Sequence, residues 1–185
     1  MTETTRAQRL LDEVLGALSG DAWSVTLDGL DAPVYLTDAQ GNVTYWNRAC
    51  IEFAGREPEL GRDRWCVTWK LYTMSGEPLA HDACPMAVAI KEQRMVRDAV
   101  AIAERPDGSR RAFNPYPTPL FDEAGAMTGA VNMLIDVTAS QGKELLGQAD
   151  RCRRLAKSVT DPRASRVLDD MAIGYERSAA SLSQG

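Results

Sequence analysis

Pro106-Asp107-Gly108 stands between two long runs of strand-forming residues, 96–105 and 110–121. An Asp-Gly pair supplies the backbone conformation of a tight turn, so the two runs are predicted to pair as a hairpin. Residues 122–125 carry a second turn, and the apolar run 130–135 is a third strand. Upstream, 33–38 and 43–46 read as two more strands joined through 39–42. Asn47 then precedes Ala49, Cys50, Phe53 and Ala54 and reads as a helix N-cap. Met74-Ser75-Gly76-Glu77 is a further turn between short extended pieces. Asp82 and Pro85 open a helix that runs to about Gln93. Two strands, several short helices, then three strands imply an α+β domain over 24–138, built as one five-stranded sheet with short helices on one face.

The flanks read as helices. In residues 1–23, Ala7, Leu11, Val14, Leu15 and Leu18 fall on one helical face. That face must dock on the domain or on a second copy. In residues 139–185, Leu145, Ala149, Cys152, Ala156 and Val159 alternate spacings of four and three. Thr160-Asp161-Pro162 breaks the run, and a second helix carries Val167, Leu168, Met171, Tyr175 and Leu182. The pair reads as a C-terminal helical hairpin.

Composition narrows the function. The net charge is −5, so there is no overall basic footprint for nucleic acid. No run is long and apolar enough to span a bilayer, and the N-terminus lacks the apolar core of a signal peptide. The expected setting is cytoplasmic, with neither nucleic acid nor membrane as partner. Cys50, Cys66, Cys84 and Cys152 show no zinc-ligand spacing and read as free thiols. No nucleophile elbow, metalloprotease motif or phosphate loop is present, so the chain is not expected to be an enzyme.

Three segments carry a family resemblance. Residues 36–49, Leu-Thr-Asp-Ala-Gln-Gly-Asn-Val-Thr-Tyr-Trp-Asn-Arg-Ala, resemble the first hairpin and helix of the PAS family. Residues 104–110 are similar to its later hairpin, and Asp136-Val137-Thr138 to the motif that closes its last strand and starts an output helix. Residues 81–86 and 114–119 look like a proteobacterial subgroup. The resemblance covers roughly 25–138. It implies an antiparallel sheet with a cavity between sheet and helices, and sensing or partner binding rather than catalysis. Asp136, Val137 and Thr138 become the signal-transfer junction. The residues after Thr138 are too few for a kinase core, so the expected output is another protein such as a kinase or other regulator, a second copy in a homodimer, or the helical hairpin itself.

Candidate sites follow. Tyr35, Trp46, Trp69, Met86, Ile90 and Leu134 are candidates to line a ligand cavity, with Trp65 beside them; aromatic residues of this kind also serve as plain core. His81, the single histidine, is a candidate axial ligand for haem, the cofactor of a rival reading as a gas or redox sensor; against it, Asp82 and Pro85 place His81 outside the helix. Otherwise no cofactor is expected. Cys84 at a helix N-terminus is a redox candidate if its thiol is exposed and acidic. Pro115, Pro117 and Pro119 remove donors from one side of a strand, which must be bulged, splayed or unpaired there: a portal or a protected edge. Arg151, Arg153, Arg154, Lys157, Arg163 and Arg166 form a basic patch, read as a solvated face or a docking surface for an acidic partner.

Overall fold

The computed structural model describes residues 3–182. Helices α1 (Glu3–Ala17) and α2 (Trp23–Asp28) lead into strands β1 (Val34–Asp38) and β2 (Val43–Trp46). Helix α3 (Arg48–Ala54), the short strands β3 (Lys70–Tyr72) and β4 (Pro78–Leu79), a 3-10 turn at His81–Ala83 and helix α4 (Pro85–Glu92) follow. Strands β5 (Ala101–Glu104), β6 (Arg110–Pro115), β7 (Thr118–Phe121) and β8 (Met127–Asp136) precede helices α5 (Thr138–Ser158) and α6 (Pro162–Leu182).

The sheet runs β2-β1-β8-β6-β5-β3-β4, and β7 also pairs with β8; the pairings are antiparallel. β6 and β7 are one strand divided by prolines. The five expected strands are therefore present, and the β3–β4 hairpin extends the sheet at its β5 edge.

The first hairpin forms because Asp38 replaces missing turn bonds. Its Oδ1 accepts from the Gln40 and Asn42 N–H groups at 2.9 Å each. Gly41 adopts φ 84°, and a Cβ there would sit 2.2 Å from the Trp65 ring, so the position tolerates only glycine. Asn47 is the expected cap and does more. Its Oδ1 accepts from Cys50 N and Val34 N at 3.2 and 3.0 Å, and its Nδ2 donates to the Leu27 and Ala32 carbonyls at 2.9 Å. One fully buried amide thus ties α2, β1 and α3 together.

Alternation puts Tyr35, Phe113 and Leu134 on the inner face, packed with Phe53 of α3 and Met86 and Ile90 of α4. The outer face carries Val34, Val131, Met133 and Tyr116. Ala7, Leu11 and Val14 of α1 and Leu27 of α2 cover it. Leu182 at the end of α6 covers Ile102, Ala112 and Val137. So the N-terminal stripe docks on its own domain, and the hairpin folds back until its last turn meets the sheet.

The expected strand at 96–105 begins only at Ala101, opposite Phe113. Tyr116 N–H donates to the Met133 carbonyl at 2.8 Å, so Tyr116 and its alternate neighbours face β8. Pro115, Pro117 and Pro119 face the opposite side, where β5 would continue. They lack the donors a partner strand needs, and pairing stops. Toward β8 the register is unbroken: Pro115 faces Leu134 and Thr118 faces Val131, three residues apart on each strand. The strand is neither bulged nor splayed at the prolines; it is unpaired on one side. Arg97 occupies the gap, donating to the Pro117 carbonyl at 3.1 Å and to Thr118 Oγ1 at 3.3 Å.

Candidate functional site: the strand-to-helix junction and the core beneath it

β8 ends where α5 begins, and three side chains fix the join. Asp136 Oδ1 accepts the Thr138 N–H at 2.9 Å, and its Oδ2 accepts Arg111 Nη1 from β6 at 2.8 Å. Thr138 Oγ1 accepts the Ala112 N–H at 3.0 Å and donates to the Ala112 carbonyl at 3.3 Å. Val137 N–H reaches the same carbonyl at 2.9 Å. The first residue of α5 thereby continues the β6 ladder with its side chain. Burial alone would raise the Asp136 carboxyl pKa; the bonds from Thr138 and Arg111 outweigh it and leave the pKa lowered. The junction triad Asp136, Val137 and Thr138 is brought together with Arg111, which sequence reasoning missed. The register pairs Asp136 with Phe113 and so sets Arg111, two residues away on the same face of β6, diagonally beside it.

The cavity candidates divide. Tyr35, Met86, Ile90 and Leu134 meet in one core cluster, and Trp46 and Trp65 pack against it. Tyr35 and Leu134 have no exposed surface and act as packed core. Trp69 does not join them: it is 44% exposed, with Lys70 Nζ 4.2 Å from its ring centre. It lies just before the short strand β3, outside the paired residues, and its side chain turns to solvent.

Beneath the junction the inner face holds a polar pair. Tyr35 Oη donates to the Trp65 carbonyl at 3.0 Å and accepts from Asn132 Nδ2 at 3.0 Å. Asn132 Oδ1 accepts from Tyr116 N–H at 3.0 Å. Burial, with the neighbouring Cys66 and Cys84 thiols, raises the Tyr35 pKa well above its ordinary value. Asn132 also went unremarked, although a lone amide in the apolar run 130–135 was its signal. Trp65, whose carbonyl receives Tyr35, holds φ 69°, rare for a bulky side chain.

Two candidates are corrected. Cys84 is 2% exposed, and burial pushes its thiol up to about 12, beyond what the α4 N-terminus offsets. It packs in the core and is not a reactive thiol. His81 lies in the 3-10 turn before α4, with Nε2 3.1 Å from the Thr68 carbonyl. That nitrogen donates a proton and has no lone pair for iron. Burial lowers the imidazole pKa, and the charges nearest it are Asp63, Arg56 and Asp82. Polar surroundings and a filled core do not fit haem. Among the described residues no group of three potential metal ligands forms.

The hairpin places Ala149, Cys152 and Ala172 at its seam. Outside the seam Leu155, Val167 and Met171 remain 46%, 58% and 46% exposed. In the basic patch, Arg153 pairs with Glu176 across the hairpin at 2.7 Å, and Arg151, Arg154, Lys157, Arg163 and Arg166 are exposed. No described helix is long and apolar enough to cross a membrane.

Comparison with known proteins matches this architecture. The Rhodobacter sphaeroides LOV protein is 14% identical over 93% of this chain and 98% of its own, with a TM-score of 0.51. An RNA-binding Light-Oxygen-Voltage receptor is 18% identical over 85% of this chain but only 35% of the receptor, with a TM-score of 0.49. The LOV domain of a blue-light activated histidine kinase from Erythrobacter litoralis is 20% identical over 58% of this chain and 96% of that domain, with a TM-score of 0.44. No curated protein sequence matches. The family model described as PAS fold matches residues 27–142, from α2 through the junction into the first turns of α5. With that match spanning the sheet and the junction alike, the chain belongs to the PAS-fold family.

Proposed function

We propose that this signalling-sensor domain works as a non-catalytic adaptor: the sheet registers a signal, and the C-terminal hairpin presents it to a protein partner. The observation that carries the reading is the pair of hydrogen bonds between Thr138 and Ala112, which makes the start of α5 part of the β6 ladder. A shift of β8 against β6 must then move α5. A ligand or partner that binds one setting better shifts the population toward it.

The hairpin has a surface suited to docking. Leu155, Val167 and Met171 are exposed, and Arg151, Arg154, Lys157 and Arg163 are exposed on the same two helices. An apolar surface with basic neighbours suits a second copy of the chain or an acidic signalling protein such as a kinase. The sheet's outer face is covered by α1, α2 and the end of α6, so the hairpin is the better candidate for pairing copies.

The test compares wild type with a Leu155→Glu, Val167→Glu, Met171→Glu variant. Sedimentation velocity gives the oligomeric state, and pull-down with a tagged chain gives partner capture. Loss of self-association or of a specific partner supports the adaptor. Unchanged behaviour in both assays refutes it.

A further inference from the structure

A groove of about 500 Å³ lies between α1, the α2–β1 connection and the end of β8, outside the sensor core. We infer that this groove binds a small amphipathic zwitterion of the amino-acid or short-peptide type.

Arg6 and Arg9 line the groove from α1, one helical turn apart. Neither is in an ion pair with a described residue, so both guanidinium groups are available to a carboxylate, which they can grip through paired N–H groups. Glu13 and Asp31 line it as well, and they too lack an ion-pair partner among the described residues. Asp136 is the fifth charged group, already neutralised by Arg111 at 2.8 Å. The two free cations and two free carboxylates cancel. A ligand with a single charge gains on one side and is repelled on the other, whereas a zwitterion satisfies both. Leu10 and Pro33 supply apolar wall for its body. The volume falls in the range of small-molecule sites and exceeds what one amino acid fills, which favours a dipeptide-sized occupant.

The floor explains why such a site would matter. The β1–β8 ladder ends at the Leu134 N–H to Pro33 carbonyl bond of 2.9 Å. Beyond it Asp136 lines the groove, and its Oδ1 accepts the Thr138 N–H at the start of α5 at 2.9 Å. An occupant would touch α1 and the strand end that launches α5 at once. The inference goes beyond the adaptor reading and does not depend on it, because binding is measured directly.

The experiment is calorimetric titration of the full chain with leucyl-leucine, N-acetyl-leucyl-leucine, leucyl-leucinamide and leucine. The expected result is binding of leucyl-leucine, weakened at least about tenfold by blocking either end. The Arg9→Gln and Asp31→Asn variants should each weaken leucyl-leucine by a similar factor. Both side chains are exposed, so an unchanged melting temperature accompanies the loss. Leucine binding as tightly as the dipeptide keeps the chemistry and assigns the site to a free amino acid. No binding by leucyl-leucine or leucine at millimolar concentration overturns the inference. So does binding that ignores both end blocks, or that survives both substitutions intact.

Discussion

Thr138 Oγ1 both accepts from and donates to the backbone of Ala112, so a helix residue acts as the strand partner of a sheet residue. Replacing Thr138 with Val keeps the shape and removes both bonds. The Ala112 N–H then loses its partner beneath Leu182, at a cost of about 1–3 kcal/mol. Denaturant melts should show that loss, and amide exchange should rise in the first turn of α5 before it rises in β1. Thr138→Ser, which keeps the hydroxyl, should recover most of both.

Asp136 links that junction to pH. Its folded pKa is lowered, so ionisation stabilises the fold. The contribution is fully present above the unfolded value of about 3.9 and is lost as pH falls through the lower folded value. Stability measured from pH 6 to pH 3 should fall, and Asp136→Asn should flatten part of that fall. The variant should also be less stable at pH 7, because the attraction to Arg111 is gone. An equally steep fall in the variant would remove Asp136 from the account.

Local signals in the sequence located these features well, and long-range ones did not. Asp38, Gly41 and Asn47 announce a hairpin and a cap because each makes a bond to a near neighbour, although the other bonds of Asn47 reach 13–20 positions away and were not readable. The Asp136-Val137-Thr138 junction was readable through the family resemblance, but Arg111 was not, since its partner lies 25 positions away. Trp69 and Cys84 were misplaced because a residue's type does not state its burial: a tryptophan just outside a short strand faces water, and a cysteine at a helix start can still lie under the core. His81 was drawn toward haem by resemblance, and only the Thr68 carbonyl, 13 positions away, shows where its proton sits. The groove at α1 was invisible because its walls come from three distant segments.

Asn47 should be the most sensitive polar position in the domain. Asn47→Ala leaves the Val34 N–H and the Ala32 carbonyl without their partner and removes a second bond from the Leu27 carbonyl and the Cys50 N–H, which keep backbone partners in Leu30 N–H and the residue-47 carbonyl. At about 1–3 kcal/mol for each group that water cannot reach, the loss should reach several kcal/mol. Asn47→Asp keeps the two acceptor bonds but turns a carboxylate oxygen toward two carbonyls, so it should be no better at pH 7. Thermal melts of both variants decide this, and a drop of less than about 1 kcal/mol in either would mean the tie is made elsewhere.

Cys84 should behave as an ordinary core atom in solution. With its thiol pushed up to about 12, almost no thiolate exists at pH 8. A disulfide reagent should react with Cys50, Cys66 and Cys84 only as fast as the domain unfolds, at least about a hundredfold slower than in denaturant. Fast labelling of Cys84 in the folded protein would restore it as a redox candidate.

The prolines on β6 and β7 make the last test. Their missing donors all fall on the side where β5 stops, and the rings of Pro115, Pro117 and Pro119 are buried. If their role is to keep that edge from recruiting a foreign strand, returning N–H groups should create a template for it. A variant with Pro115→Thr, Pro117→Thr and Pro119→Thr should aggregate faster by light scattering. It will also be less stable, and aggregation from unfolding must be separated from aggregation at the edge. Thr138→Val supplies the control, because it weakens the fold at a different place. Compared at equal unfolded fraction, the proline variant should aggregate faster than Thr138→Val. Equal rates would mean that Arg97, which already covers the Pro117 carbonyl, protects the edge without help from the prolines.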